Sequence, residues 1–254
     1  MNITLLVNYD LAATLALNYL LPKLSEHRLS LFFTRKSSAT KRPTALKKLA
    51  EFETLSLCQL NSQASTSSLK SIEQFEAPAI QTIERLNDVN GENFSTLQAT
   101  QPDLILSIRH MTILKQAVID LPVYGVINLH SGSLPAYQGV MASFWAMLNK
   151  ENSLATTLHY IDDAQIDTGA IIEQSIVRCE TNNSYLWNVL NLYNSGCKTI
   201  LRTVDRISAN EPVIRQQQSG TANYFTYPEP SDIDQFSELG LRLFDLTDAK
   251  TFNF

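Results

Sequence analysis

Short apolar runs alternating with segments of helical period organise this chain. Residues 2–8 (NITLLVN) predict a buried strand, and residues 10–24 follow with helical periodicity and Asp10 placed as N-cap. Residues 28–34 (RLSLFFT) predict a second strand, and strand, helix, strand at this spacing indicates a parallel α/β sheet. Further on, 103–108 (DLILSI) and 125–129 (GVINL) predict strands, with short helices at 113–120 and 140–149. Residues 155–161 (ATTLHYI) alternate as a strand does, and 170–178 read as its partner. A long amphipathic helix is predicted over 183–207, with Leu186, Val189, Leu190, Leu192, Tyr193, Cys197, Ile200, Leu201 and Val204 at helical spacing. The polar stretch 53–80 predicts only helices and a connection.

The fold class expected is therefore α/β, a Rossmann-like and mostly parallel sheet with helices on both faces. Residues 1–207 form the expected catalytic domain and 208–254 a small C-terminal extension folded back on it. The 254 residues carry 44% hydrophobic and 18% charged side chains, ordinary for a soluble globular protein. A net charge of −5 argues against a nucleic-acid binder. Six basic residues between 35 and 48 (Arg35, Lys36, Lys41, Arg42, Lys47 and Lys48) read as a solvated loop leading into a surface helix rather than a phosphate site. Cys58, Cys179 and Cys197 and four scattered histidines write no metal cluster, and reduced thiols suit a cytoplasmic protein. No signal peptide or membrane-spanning run is expected.

The densest chemical signal is Asn128-Leu129-His130, followed by Leu134-Pro135, Tyr137 and Gly139. Period-two spacing puts Asn128 and His130 on one side of a strand end, where open α/β sheets bind ligands. An amide beside an imidazole can stabilise an oxyanion and move a proton, which acyl transfer requires. Asp167-Thr168-Gly169 sits between two strands, and a carboxylate there can orient the imidazole and support its charged form.

Residues 102–174 resemble the catalytic domain of the 10-formyltetrahydrofolate-dependent formyltransferases. That family shows N-x-H before S-L-L-P, then H-x-x-D and D-x-G. The matching residues are Asn128, His130, Leu134-Pro135, His159 and Asp167-Thr168-Gly169. The resemblance implies catalytic roles for Asn128, His130 and Asp167. It implies folate binding by the hinge Met111, Thr112, Ile113 and Leu114, with Ile161 and Asp162. It also implies 10-formyltetrahydrofolate as formyl donor, direct transfer to an amine without a metal, and a homodimer. Two positions depart from the pattern: Gly132 stands where the family has Ser, and the interval from His159 to Asp167 is one residue longer.

The acceptor is narrowed by exclusion. The turn Asn8-Tyr9-Asp10-Leu11-Ala12 lacks the glycines of the glycinamide ribonucleotide enzymes, and Asp10 is expected to repel a phosphate there. The tail after the long helix is acidic, unlike the basic domain of the tRNA enzymes. With strand one expected at residues 2–8, the N-terminal domain of the formyltetrahydrofolate hydrolases is not expected, which disfavours that class. A small-molecule amine remains, a nucleotide-linked amino sugar being the favoured case, with no nucleic acid or membrane partner. Trp145, Tyr224, Phe225 and Tyr227 are candidates to stack a sugar or base, or else to form a C-terminal clasp; Trp187 is assigned to core or interface. The alternatives are a hydrolase releasing formate and a non-catalytic folate-binding relative.

Overall fold

The computed structural model describes residues 1–35, 42–62 and 69–252. From the N-terminus come β1 (Asn2–Asn8), α1 (Leu11–Leu20), β2 (Arg28–Thr34), α2 (Thr44–Ser62), β3 (Ile80–Arg85), α3 (Phe94–Ala99), β4 (Leu104–Ile108), α4 (Gln116–Ile119) and β5 (Val126–His130). Then follow β6 (Gln138–Gly139), α5 (Ala142–Leu148), β7 (Ser153–Ile161), β8 (Ile171–Arg178), α6 (Tyr185–Ser208), β9 (Tyr224–Phe225), α7 (Pro230–Glu238) and α8 (Asp248–Thr251). Seven strands form one sheet in the order β3-β2-β1-β4-β5-β7-β8. Strands β1 to β5 pair in parallel, while β7 and β8 are antiparallel to their neighbours.

Strand alternation divides the core between the two faces. Ile3, Leu5 and Val7 pack with α1 and α6 on one face, whereas Leu6 joins Ile105, Leu114, Val118 and Val126 on the other. On β5, Ile127 and Leu129 belong to the first face, so Asn128 and His130 project with Val126 from the second. The strand order reverses between β1 and β4: β2 and β3 lie on one side of β1, and β4 and β5 on the other. That crevice, at the carboxyl ends of the strands, is where such sheets bind ligands.

The expected core strands and the long helix are all present. β3 and α3 had no counterpart in the sequence reading. β3 is an edge strand with a mixed exposure pattern, so no clean alternation marks it. α1 stops at Leu20, and Pro22 lies in the 3-10 turn Leu21–Lys23 that follows. Lys36 and Lys41 of the basic run lie outside the described residues.

Beyond α6 the chain returns over α5. Phe236 of α7 stacks on Phe144 at 4.5 Å, and Ser184, the N-cap of α6, donates to Asp248 at 2.6 Å. β9 pairs with β6, placing the return segment directly beside the loop after β5.

Candidate active site

His130 ends β5 and lies buried, 8% exposed. Its Nε2 is 2.7 Å from the Tyr137 carbonyl, which can only accept, so this nitrogen carries the proton. Its Nδ1 faces Asp167 Oδ2 at 3.4 Å. Gly132 makes this arrangement sterically possible. A Cβ there would stand 2.6 Å from His130 Nε2 and 2.9 Å from the Tyr137 carbonyl oxygen. The departure from Ser at this position therefore has a local cause: the loop folds its own backbone against the imidazole.

β5 and β7 pair antiparallel with Asn128 opposite His159. His159 Nδ1 donates to the Tyr160 carbonyl at 2.8 Å, which leaves Nε2 to accept from the Asn128 amide at 3.1 Å. The same Nε2 lies 3.4 Å from Asp167 Oδ1. Asp167 thus joins two imidazoles, and it also accepts the Gly139 backbone N–H at 2.9 Å. Burial alone would push this carboxyl upward. The charge of His130, the nearby His159 ring and the Gly139 N–H outweigh burial and hold its pKa down to about 2. Burial pushes His130 below its ordinary value, with Asp167 pulling the other way. His159 entered the sequence reading only as a motif match; its place between Asn128 and Asp167 depends on strand register, which no local pattern carries.

Asp167 takes a left-handed φ of 57° at the end of the longer loop, and Gly169 then passes close under β7. A Cβ at Gly169 would come within 1.9 Å of the Tyr160 carbonyl oxygen, so only glycine fits the third position of D-T-G. Gln218 from the return segment donates to the carbonyls of Asp167 and Gly169, both at 2.8 Å.

Asn128, His130 and Asp167 open onto a cavity of about 1060 Å³. Met111, Thr112, Ile113, Leu114 and Ile161 line it, with Leu114 buried in the second-face core. Asp162 is placed elsewhere: it pairs with Arg215, whose guanidinium stacks on Tyr160 at 3.7 Å. Trp145 of α5 stacks on Phe225 of the return segment at 5.1 Å, while Tyr224 and Tyr227 reach the cavity wall. Trp187 packs on Phe252.

The opposite wall belongs to the β1–α1 turn and α2. Asp10 caps α1 through the Ala13 N–H at 2.8 Å and accepts Arg109 Nε at 2.7 Å and Asn8 Nδ2 at 2.9 Å. Its charge is therefore matched by Arg109, a pairing between residues 99 apart in sequence. From the basic run, Arg35, Arg42 and Lys47 border the cavity, with Arg35 over Tyr9 at 3.8 Å and Arg42 over Tyr227 at 4.0 Å.

Residues 46–186 match the sequence model of the Formyl transferase family. The methionyl-tRNA formyltransferase of Kosmotoga olearia is 31% identical over 134 residues, 53% of this chain and 43% of its own length. The chain spans less than half the length of the curated relatives it matches. A sugar N-formyltransferase structure from Shewanella sp. FDAARGOS_354 superposes with a TM-score of 0.57 at 15% identity, covering 97% of this chain and 87% of that one. The N-formyltransferase of Helicobacter canadensis, solved with folinic acid and dTDP-3-aminofucose, gives a TM-score of 0.54 at 19% identity over 87% of this chain and 70% of its own. At such identities the structures show a shared fold. With more than half of its length matched, the chain belongs to the Formyl transferase family.

Proposed function

We propose that this protein transfers a formyl group from 10-formyltetrahydrofolate to the amine of a small molecule, with Asn128, His130 and Asp167 as the catalytic set. One observation carries the reading: Asn128, His159, Asp167 and His130 form a continuous polar cluster at the wall of a large cavity. The hinge Met111–Leu114 and Ile161 supply an apolar, backbone-rich border beside that cluster, which suits a flat heteroaromatic ring with amide-like edges. Asp162 is better assigned to holding Arg215 than to the folate.

The folate supplies a formyl carbon on a nitrogen leaving group. The Asn128 amide has two N–H groups and His159 engages one, so the second is left for the oxyanion that forms when the acceptor nitrogen attacks. His130 takes the proton lost by that nitrogen on Nδ1, where Asp167 supports the resulting imidazolium, and returns it to the departing nitrogen. Asp167 keeps its own charge throughout, with its pKa near 2.

The acceptor is a small amine, a nucleotide-linked amino sugar being the favoured case. The Helicobacter canadensis enzyme, with its aminofucose nucleotide, supports that choice, as do Tyr224 and Tyr227 at the cavity wall. The curated relatives act on methionyl-tRNA by name, but 25 acidic against 20 basic residues make a poor RNA surface. The test is a panel of amines with isotope-labelled 10-formyltetrahydrofolate, read as label gained by an amine. Formate release at the same rate with and without amines would show a hydrolase instead, and no turnover together with folate binding would show a non-catalytic relative.

A further inference from the structure

Ser131 is the first residue beyond β5, next to His130. Alternation along the strand sends His130 toward the second face of the sheet and Ser131 toward the first, where α6 packs. There its Oγ lies 2.8 Å from the Tyr193 hydroxyl, and its carbonyl accepts the Ser143 hydroxyl at 3.0 Å. Ser131 is thus held at both its side chain and its backbone. Tyr193 is 1% exposed, whereas Ser131 is half-buried and lines the cavity. A serine hydroxyl has one donor and two acceptor positions. Tyr193 is the one partner of Ser131 Oγ among the described residues, so hydrogen-bonding capacity remains on the cavity side.

We propose that Ser131 is a specificity-determining residue that holds a hydroxyl on the carbon beside the acceptor amine, with Tyr193 as its positioning residue. The acceptor is then a vicinal amino alcohol, as an amino sugar is, rather than a plain alkyl amine. The placement follows from the strand. A ligand beyond the carboxyl end of β5 meets side chains from both faces of the sheet. His130 takes the proton of the attacking nitrogen, and its chain neighbour Ser131 meets a different atom of the same small molecule. Burial first raises the Tyr193 pKa, with the Arg109 charge acting against it, so the phenol keeps its proton with a cation nearby. A phenol oxygen facing a cation turns its proton away, here to Ser131 Oγ. The Ser131 proton is thereby left for the hydroxyl oxygen of the acceptor.

This selection of acceptors rests on the formyl transfer proposed above. The test is an amine panel built in pairs, each amino alcohol beside the same amine without its neighbouring hydroxyl. The amino alcohols are dTDP-3-aminofucose, glucosamine and 2-aminocyclohexanol. Labelled 10-formyltetrahydrofolate is the donor, and label gained by the amine is read for the wild type, Ser131→Ala and Tyr193→Phe. The wild type is expected to favour the hydroxylated member of a pair by about tenfold in kcat/KM, the worth of one hydrogen bond. That preference should fall below about twofold in Ser131→Ala. It should fall by about threefold in Tyr193→Phe, which keeps the ring and its packing but frees the serine. A purely structural role would lower both members of a pair alike and leave their ratio unchanged. An unchanged ratio in Ser131→Ala, or a wild type that formylates both members equally, would overturn the proposal and leave formyl transfer standing. Label in no amine would remove the reaction itself, and the proposal with it.

Discussion

Gly139 gives its backbone N–H to Asp167 Oδ2 at 2.9 Å, and Gly139 is itself paired with Phe225 in the β6–β9 ladder. The return segment after α6 is thereby tied to the carboxylate that joins both histidines. Gln218 adds a second tie through the Asp167 and Gly169 carbonyls. Gln218→Ala removes two hydrogen bonds at a turn with a left-handed residue, and a loss of about 1–2 kcal/mol is expected. Formyl transfer should fall through kcat more than through the acceptor KM, because the segment positions Asp167. A variant with unchanged kcat and lowered stability would limit the segment to a structural role.

Asp167→Asn tests the carboxylate directly. The amide keeps the shape but cannot support an imidazolium at His130 Nδ1, and it turns an N–H toward either a ring nitrogen or the Gly139 N–H. Turnover is expected to drop by about 10²–10⁴, the range for a general acid–base contribution, with the circular dichroism spectrum unchanged. Activity within threefold of wild type would remove Asp167 from the catalytic set.

The same residue carries a pH signature. Its folded pKa of about 2 lies below the ordinary 3.8, so its contribution to stability is fully present above 3.8 and is lost as pH falls through about 2. The shift corresponds to on the order of 2 kcal/mol. Urea midpoints measured between pH 5 and pH 2 should fall more steeply for the wild type than for Asp167→Asn; parallel curves would contradict the assignment.

Gly132 is the clearest steric prediction. A methyl group there meets Ala142 Cβ at 2.5 Å, His130 Nε2 at 2.6 Å and the Tyr137 carbonyl at 2.9 Å. Gly132→Ala, and Gly132→Ser, which restores the family residue, should each break the His130–Tyr137 hydrogen bond and cost about 1–3 kcal/mol. The imidazole NMR shifts of His130 should move as well. A Gly132→Ser protein with wild-type melting temperature and His130 shifts would show that the loop can yield.

What the sequence made legible follows from locality. β1, β4 and β5 are apolar runs bounded by polar residues, and the period-two spacing of Asn128 and His130 survives in the fold because both lie on one strand. β3 escaped because an edge strand is half exposed and loses its alternation. His159 opposite Asn128 and Asp10 on Arg109 rest on strand register and crossover topology, which bring together residues far apart in sequence. Arg35, Arg42 and Lys47 of the basic run border the cavity while Arg35 and Lys47 stay exposed, a juxtaposition that depends on where β2 and α2 lie relative to the crevice.

The Asp10–Arg109 pair yields the last prediction. Arg109 holds a left-handed φ of 59° at the end of β4, and its side chain is only 26% exposed. Asp10→Asn preserves an N-cap oxygen for Ala13 but removes the charge that matches Arg109. Breaking one side of a largely buried pair should cost roughly 2–3 kcal/mol, below the fully buried range because Arg109 keeps some water. Arg109→Met alone should cost a similar amount, since it strands the buried Asp10 carboxylate. The double variant Asp10→Asn with Arg109→Met should be more stable than the sum of the two losses implies, by about 1 kcal/mol or more, because neither charge is then left unmatched. Additive losses in urea denaturation would mean that the two side chains stabilise the fold independently and that the 2.7 Å contact carries no coupling.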